Sequence, residues 1–373
     1  NGHLKLNNEK RSKSTGNFLT AVEAYDLFSV TGVRIGLADA GDAADDANFD
    51  GTVVKSALAK LTSFTELAKG FVQARQEGKE LFAGLPQHEG ISGFADDLFD
   101  ARLSRAINQA DQAYLNMMFK AALKAAFFEI QNFWTEYQAM AKDSSNGISV
   151  TLTERYIETF LLLLTPIIPH YADYIWREIL NKPSTIINEK FPESKPYNPD
   201  IFYMDRLLRK TADTLKFRVK ALRKVKNLDT ACIFIRNRFN EIQLHVLQLL
   251  REQFDDQKNE WKPTLDEAIN QDEYLNNIKK ESKNAAQKFM PFLKFLREAV
   301  PEFGSFLLKE TPEIDQAALF NSNVTYFLRQ LPGVKTLEIY DVDAGKVESP
   351  LWDDQIASTA QVYIPTANLC HKE

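Results

Sequence analysis

Cysteine is scarce in this sequence. The 373 residues include two cysteines, Cys232 and Cys370, and neither has a close cysteine or histidine neighbour. Zinc sites and disulfide frameworks need clustered or paired cysteines, so the sequence predicts neither. This usage fits a reducing compartment, and we expect a cytoplasmic protein.

Long apolar runs are also missing. The longest one, residues 160–168, is interrupted by Pro166, whereas a membrane helix needs about 20 apolar residues. We therefore expect no membrane-spanning segment. The chain opens on Asn1 rather than methionine and shows no basic-then-apolar leader, so we expect its natural start to lie upstream.

The sequence has no global excess of positive charge. Its formal net charge is -6 and its pI is near 5.6, so any contact with nucleic acid must use local basic patches. The 44% hydrophobic and 26% charged residues are typical of folded globular proteins. At this length, two or three compact domains are expected.

Helical periodicity dominates the first two thirds of the chain. From residue 53 onward, apolar residues recur with the 3.6-residue period of a helix face. Thr151 and Glu154 have the spacing of a capping box, which predicts a helix start at Thr151. Pro169 suits the first position of the next helix, because a missing amide costs nothing there. A proline-rich connector follows at residues 183–199.

The pattern changes after residue 228, where we place a domain boundary. Residues 230–236, 334–340 and 360–364 have the β-branched and aromatic character of strands. Residues 240–254 and 290–300 have helical periodicity, and Pro301 is expected to stop the second of these helices. The sequence therefore predicts a mostly α protein that ends in a small α+β domain.

A polar loop near the start has the composition of a phosphate-binding segment. Residues 10–17, Lys-Arg-Ser-Lys-Ser-Thr-Gly-Asn, combine lysines, hydroxyl groups and a glycine. Lysines can act as mobile point charges on phosphate oxygens, and Gly16 allows close backbone approach. On charge alone, a solvated basic loop is the commoner explanation.

The order of residues in three segments favours a specific family. Residues 10–14 resemble the Lys-Met-Ser-Lys-Ser signature of class I aminoacyl-tRNA synthetases. Residues 33–42 and 46–49 resemble a stretch specific to leucyl-tRNA synthetases of the archaeal and eukaryotic cytosolic type. Residues 164–173, followed by Trp176, are similar to the anticodon-binding-domain signature of that subclass. The likeness continues weakly through residues 290–292 and 319–331.

Two positions depart from the family pattern. Arg11 stands where the signature has methionine. Residues 28–32 read Phe-Ser-Val-Thr-Gly where the family usually has Phe-Gly-Ala-Asp-Ala. The first departure is at a side chain that need not touch phosphate, and the second puts the local helix packing in doubt.

The resemblance implies a three-part organisation and an activity. Residues 1–50 would end a class I catalytic domain, residues 51–228 would form a helical anticodon-binding domain, and residues 229–373 would form an α+β tRNA-binding domain. The complete enzyme would form leucyl-adenylate from leucine and ATP, with Mg2+ accompanying ATP, and pass the leucyl group to tRNA-Leu. A multi-synthetase complex is a further candidate partner.

The resemblance also assigns roles to the residues of the signature loop. Lys10 and Lys13 would be catalytic, because cations that meet the charge on departing pyrophosphate stabilise the transition state. Lys10, Ser12, Lys13 and Ser14 would bind ATP.

Other parts of the chemistry are missing from this sequence. The five histidines include no His-x-Gly-His pair of the kind that the class uses to hold ATP, so we do not expect this chain to catalyse the reaction alone. A non-catalytic tRNA-binding or assembly module derived from a synthetase remains the alternative. The acidic residues between Asp39 and Asp46 lack the spacing of a calcium loop, and we expect no protein-bound metal.

One strongly basic segment suits tRNA. Residues 204–226 contain nine basic and two acidic side chains. On a helix, Leu208, Ala212, Leu215, Val219 and Leu222 would form an apolar stripe, with basic residues on the opposite side. The predicted tRNA-binding residues are Arg209, Lys216, Lys220, Arg223 and Lys224. A solvated basic face is the alternative.

Overall fold

The structure of the protein is a computed structural model, which describes residues 3–10, 16–43, 46–144, 146–222, 229–281, 283–349 and 351–370. The chain divides into two compact units, Asn1–Tyr197 and Asn198–Glu373. Helices make up most of both units, and the sheets are small. The predicted mostly α fold class is therefore confirmed.

The first unit contains seven α-helices and five short strands among its described residues. The strands are β1 (Lys5–Leu6), β2 (Glu9–Lys10), β3 (Asn48–Phe49), β4 (Gln87–His88) and β5 (Ile148–Ser149). The helices are α1 (Ala21–Asp39), α2 (Gly51–Glu77), α3 (Phe94–Leu115), α4 (Phe119–Leu123), α5 (Ile130–Asp143), α6 (Val150–Leu164) and α7 (Pro169–Tyr174). A π-helical segment, Lys124–Glu129, joins α4 to α5, and another, Ile175–Ile179, extends α7.

The first small sheet has the strand order β2-β1-β3. β1 and β2 form an antiparallel hairpin whose turn residues, Asn7 and Asn8, have φ values of 52° and 68°. Asparagine tolerates this left-handed backbone, which a two-residue hairpin turn requires at both positions. β3 adds to β1 in parallel. The hairpin that ends at Lys10 is therefore built by local turn chemistry.

Helices α1 and α2 pack closely because α1 carries glycine at the contact. A Cβ atom at Gly36 would lie 2.5 Å from the Phe49 ring and 2.6 Å from Val54. Phe28, Val33, Phe49 and Val54 form a small buried cluster there. This contact brings the start of α2 against β3 and the hairpin.

Helix α1 is kinked at Ser29, where the family pattern has glycine. Ser29 has φ 61° and ψ 166°, a backbone region that is essentially restricted to glycine. Its hydroxyl accepts a hydrogen bond from the backbone N–H of Gly32 at 3.3 Å. The departure noted in the sequence is therefore a site of local strain.

We expect Ser29→Gly to raise the free energy of unfolding by about 1 kcal/mol. Glycine relieves the backbone strain, and losing the hydroxyl that accepts from the Gly32 N–H costs little when glycine replaces it. Ser29→Ala keeps the strained backbone and loses the hydroxyl, so it should lower stability. Urea unfolding followed by circular dichroism measures both. A glycine variant no more stable than the alanine variant would contradict this explanation.

The core of the first unit is rich in stacked aromatic rings. Phe99 and Tyr137 stack with centroids 4.5 Å apart, and Trp134 and Tyr156 stack at 4.7 Å. These rings come from α3, α5 and α6, so one aromatic cluster joins three helices. Offset stacking contributes to stability beyond the area that the rings bury.

The predicted capping box at Thr151 is wrong. Helix α6 begins one residue earlier, and the Ser149 hydroxyl accepts the hydrogen bond from the backbone N–H of Leu152 at 3.1 Å. Thr151 instead donates to Glu89 and accepts from the N–H of Gly90, while Glu154 pairs with Arg75 at 2.6 Å. Thr151 and Glu154 therefore contact residues distant in sequence instead of capping the helix. Pro169 does start α7, as predicted.

The second unit combines eight α-helices with two small sheets among its described residues. The helices are α8 (Asp200–Leu222), α9 (Glu241–Glu252), α10 (Leu265–Gln271), α11 (Glu273–Glu281), α12 (Lys283–Phe303), α13 (Gln316–Ser322), α14 (Val324–Gln330) and α15 (Asp354–Thr359). The strands are β6 (Thr230–Ile235), β7 (Phe254–Asp255), β8 (Glu260–Trp261), β9 (Thr336–Asp341) and β10 (Thr366–Cys370). β6 is buried along its length, pairing antiparallel with β10 and parallel with β9.

Two sequence predictions fail in this unit. α12 continues through Pro301 and ends at Phe303, before Gly304 with φ 116°. The third strand is Thr366–Cys370 rather than residues 360–364, where Gln361 and Ile364 form only an isolated bridge. Tyr363 lies inside that turn with φ 64°, and this conformation is incompatible with a strand.

Helix α8 belongs to the second compact unit, although it lies before residue 228, where the sequence analysis placed a domain boundary. The helix packs against β10 and α12, which both belong to that unit.

In the described ranges, no helix combines the length and apolar composition that crossing a bilayer would require.

Candidate functional site

Lys10 is the described member of the signature loop. It ends β2 at the edge of the small sheet, lies opposite Lys5 and is exposed to solvent. Its backbone carbonyl accepts a hydrogen bond from the Asn17 side chain at 3.3 Å. This bond joins the two ends of the loop. Ser12, Lys13 and Ser14 lie outside the described residues.

The hairpin that carries Lys10 is attached to its surroundings by two asparagines. The Asn7 side-chain oxygen accepts from the backbone N–H of Gly51 at 3.0 Å, at the first residue of α2. The Asn8 N–H donates to the Asn48 side chain at 2.7 Å, in β3. The first four amides of a helix have no partner within it, so Asn7 satisfies one of these donors. The position of Lys10 is thereby tied to α2.

A cleft of about 280 Å3 lies beside the hairpin. Its lining is mostly apolar and includes Leu6, Leu19, Val33 and Phe49, together with the charged Lys5. Lys5 lies 3.6 Å from Asp46. The pKa of Asp46 is lowered first by a hydrogen bond from the His3 backbone N–H and then by Lys5. An apolar wall offers nothing to a polyphosphate, so phosphate contacts depend on the loop itself.

Two side chains in residues 33–42 form hydrogen bonds that connect α1 and the residues after it to the other helices of the first unit. The Arg34 guanidinium donates to the carbonyl oxygens of Ile167 and Pro166, just beyond the end of α6. The Asp42 carboxylate accepts from the backbone N–H groups of Lys120 and Ala121, at 2.8 and 2.9 Å, at the start of α4. A cation near a helix C-terminus and an anion at an N-terminus are both favourable. These roles are structural, and sequence reasoning missed them.

Among the described residues, the acidic side chains near Asp42 do not meet in a cluster that could hold a metal ion. Within the part of the chain that the structure describes, no three histidine, cysteine, aspartate or glutamate side chains converge as a metal ion would need. Two histidines instead pair with aspartates: His88 Nε2 lies 2.7 Å from Asp96, and His245 Nε2 lies 2.9 Å from Asp272.

Helix α8 buries the predicted apolar stripe. Leu208, Ala212 and Leu215 are all buried, and Val219 is half-buried. The structure describes no side-chain surroundings for Leu222. The opposite face is therefore available to solvent.

The predicted tRNA-binding residues differ in their surroundings. Arg209 Nε donates to Asp205 at 2.8 Å, and Lys216 Nζ lies 3.2 Å from Asp213, both on the same helix. Lys220 is exposed. Arg223 and Lys224 lie outside the described residues. The Lys216–Asp213 pair is largely exposed, and such ion pairs are weak and can exchange for phosphate at small cost.

Sequence reasoning missed one residue on this face. Phe217 has 74% of its surface exposed, between Lys216 and Lys220. Its position off the apolar stripe was the available signal, because an aromatic residue there cannot join the buried face of α8.

Comparisons with known proteins agree with this architecture. A family model described as the anticodon-binding domain of tRNA ligase matches residues 96–231. The cytoplasmic leucine–tRNA ligase of Pongo abelii is 33% identical over 89% of this chain and 28% of its own length. That of Arabidopsis thaliana is 31% identical over 91% of this chain and 32% of its own length.

A third relative extends the similarity to fungi. The cytoplasmic leucine–tRNA ligase of Saccharomyces cerevisiae is 33% identical over 80% of this chain and 26% of its own length. The chain thus spans less than a third of the length of these relatives, within which it is homologous to the C-terminal region. This chain therefore belongs to the leucine–tRNA ligase family.

Proposed function

We propose that the protein is a leucine–tRNA ligase, to which this chain contributes the signature loop and the tRNA-binding units. The observation that carries the proposal is the hairpin that presents Lys10, with its loop ends joined by Asn17 and its turn attached to α2 by Asn7. Family membership supports the same reaction. The proposed organisation is residues 1–50, 51–228 and 229–373, as the resemblance implies. Helix α8 would then end the second of these domains in sequence, although it packs with elements of the third.

The proposed chemistry is electrostatic. Lys10 and Lys13 place ammonium groups beside the phosphates of ATP, while Ser12 and Ser14 donate hydroxyl hydrogen bonds. When the leucine carboxylate attacks the α-phosphate, pyrophosphate leaves and negative charge grows on its oxygens. Cations positioned to meet that charge lower the barrier more than they strengthen ground-state binding. Mg2+ bound with ATP would supply further positive charge.

We expect Lys13→Ala, in the complete enzyme, to reduce the rate of leucine-dependent pyrophosphate exchange by about 100-fold, the scale for losing one transition-state donor. The affinity for tRNA should stay nearly unchanged. Lys10→Ala should act in the same direction. Arg11→Met is the matched control, because that side chain need not touch phosphate, and its effect should be small.

The result also separates the two functions left open by the sequence. An unchanged exchange rate in Lys13→Ala would remove this lysine from the mechanism. A complete protein that binds tRNA without activating leucine would instead be a binding or assembly module.

The proposed tRNA contacts lie on the exposed face of α8 and just beyond it. They are made by Arg209, Lys216, Lys220, Arg223 and Lys224. Support comes from the burial of the apolar stripe on the other side of α8 from Arg209, Lys216 and Lys220. The family model adds support, because the residues that it matches, 96–231, include all five positions. Arg209 and Lys216 exchange their aspartate partners for phosphate, whereas Lys220 is exposed before binding.

Charge reversal tests these contacts. We expect Lys220→Glu combined with Arg223→Glu to weaken tRNA-Leu binding and to reduce the slope of log affinity against log salt by about one unit for each phosphate that is no longer bound. Filter binding across a salt series measures both quantities. Lys258→Glu, in the turn between β7 and β8 of the second unit, is the control. Unchanged affinity and slope would refute the proposed interface.

A cytoplasmic location is part of the proposal, because the relatives are named cytoplasmic enzymes. Incorporation into a multi-synthetase complex is a further proposal, and co-purification of the tagged complete protein with other synthetases would test it.

A further inference from the structure

We propose that Phe217 is a stacking platform for an unpaired nucleotide of RNA, with the phosphates of that strand on the lysines around it. This inference rests on the proposed tRNA-binding function and adds the kind of RNA element that α8 receives. It also assigns a role to a side chain that charge alone does not explain.

The exposure of Phe217 is the first observation. The side chain is 74% exposed, the highest value among the large apolar residues described as exposed. By contrast, Leu208, Ala212 and Leu215 on the opposite face of the same helix are buried. An isolated exposed apolar residue needs no explanation, but this one is set in a basic surface.

The surroundings of Phe217 carry more basic than acidic side chains. Lys210 and Lys220 lie seven residues before and three residues after it, so at 3.6 residues per turn both fall near its side of the helix. Lys216 precedes it directly and holds Asp213, the one acidic side chain on the exposed face of the described part of α8. An aromatic face between lysines is the arrangement that single-stranded nucleic acids use: bases stack on the ring and phosphates meet the cations.

A cleft continues this surface toward the start of α8. It measures about 140 Å3 and is lined on one side by Lys210, Thr211 and Thr214, and on the other by Phe295 and Pro365. Lys210 and Thr214 lie on the same side of the helix as Phe217, at i-7 and i-3. The cleft is lined by apolar side chains and by Lys210, which suits the nucleotide adjacent to the one stacked on Phe217.

The chemistry favours RNA over other partners. A protein partner that buried Phe217 would be expected to find an apolar rim, whereas three of the four residues one turn away on the same face, Asp213, Thr214 and Lys220, are polar or charged. Inside an RNA duplex every base face is covered by its stacking neighbours, and specific recognition of RNA mostly uses unpaired bases stacked on aromatic or guanidinium planes. The occupant is therefore an unpaired segment rather than a helical stem.

The test uses the full chain and two defined probes, a twelve-nucleotide oligoadenylate and a blunt RNA duplex of the same length. Phe217→Ala should weaken binding of the single strand by about tenfold, within the range for one stacked base, and leave duplex binding unchanged. Phe217→Trp should bind the single strand about as tightly as the wild type does. The fluorescence of the introduced indole should be quenched by the single strand but not by the duplex.

Tyr274→Ala is the matched control. This aromatic residue is also exposed in the second unit, at 40%, but it follows Asp272 and Glu273 rather than lysines. Its removal should leave oligoadenylate binding unchanged. Lys220→Glu should weaken both probes, because it removes a phosphate contact.

Three results would overturn the inference. Equal single-strand affinity in Phe217→Ala and the wild type would exclude stacking, even if Lys220→Glu still weakened tRNA and left the proposed function standing. Equal loss of both probes would reduce Phe217 to a structural residue. Loss of concentration-dependent self-association in Phe217→Ala, with RNA binding intact, would make a second copy of the chain the occupant.

Discussion

Replacing Asp96 with alanine is expected to lower the free energy of unfolding of the first unit by about 3–5 kcal/mol, the cost of removing one partner from a buried charged network. Asp96 is 1% exposed at the start of α3. Its Oδ1 accepts from the Tyr137 hydroxyl at 2.7 Å, and its Oδ2 accepts from the Ser92 N–H at 2.8 Å. Alanine would leave both donors without this acceptor.

The histidine on the same carboxylate increases the expected loss. His88 Nε2 lies 2.7 Å from Asp96 Oδ2, while Nδ1 lies 3.0 Å from the Asn146 carbonyl oxygen. A carbonyl only accepts, so Nδ1 donates to the Asn146 oxygen, and Nε2 faces the Asp96 carboxylate. Burial raises the pKa of Tyr137, which therefore stays a donor. One carboxylate thus joins residues 88–92 to α3 and α5.

Urea unfolding followed by circular dichroism measures the effect, with Asp97→Asn as the control. Asp97 is exposed as a residue, but partial desolvation of its carboxylate, and then the neighbouring Asp96, raise its pKa. Its charge is therefore disfavoured in the folded chain, and Asn should be neutral or slightly stabilising. Asp96→Asn keeps an oxygen for Tyr137 and should lie between the two. A loss in Asp96→Ala no larger than in Asp97→Asn would show that the network contributes little.

Gly147→Ala is expected to be comparably damaging, lowering stability by more than about 3 kcal/mol through combined backbone strain and overpacking. Gly147 has φ 74°, and a Cβ atom there would lie 1.7 Å from the backbone oxygen of Pro86. That same oxygen accepts from the Ile148 N–H at 2.8 Å, so it cannot move aside without breaking the bond. Backbone, rather than a flexible side chain, blocks the substitution.

Gly84→Ala separates the two causes. Gly84 has a similar φ of 72°, but nothing lies within 4 Å of the Cβ position. Its replacement should cost only the strain, about 1 kcal/mol. Equal unfolding midpoints for the two alanine variants would mean that the Pro86 contact relaxes freely.

The elements that the sequence predicted best are those whose signal is local and periodic. The helical region from residue 53, Pro169 at the start of α7 and the buried stripe of α8 through Leu215 are confirmed by the structure. Each depends on spacing within one helix or on the chemistry of one residue. The family followed from motif order along the chain, which also needs no tertiary information.

The predictions that failed are those in which contacts or backbone conformations outside the local pattern determined the structure. Thr151 and Glu154 have the right spacing for a cap, but Glu89 and Arg75 use them instead. Pro301 lies near the end of α12 without stopping it, because Gly304 supplies the change of backbone direction. The strand expected at residues 360–364 was displaced by the left-handed backbone of Tyr363.

The sequence predicted which residues form the candidate site, but it did not predict the contacts that hold them in place. The residues of the signature loop could be named from their order, whereas Asn7, which attaches the hairpin to α2, carries no motif. Arg34 lies in a recognised stretch, yet its carbonyl partners are more than a hundred residues away. Such contacts depend on how the chain folds back on itself, which periodicity does not encode.

The bond from Gly51 to Asn7 has a structural consequence. Helix α2 has 27 residues and is about 40 Å long at 1.5 Å per residue. Asn7 attaches the Lys10 hairpin to one end of this rod, and Arg75 contacts α6 near the other. One continuous helix therefore connects the hairpin that carries Lys10 to a contact with α6 at its opposite end.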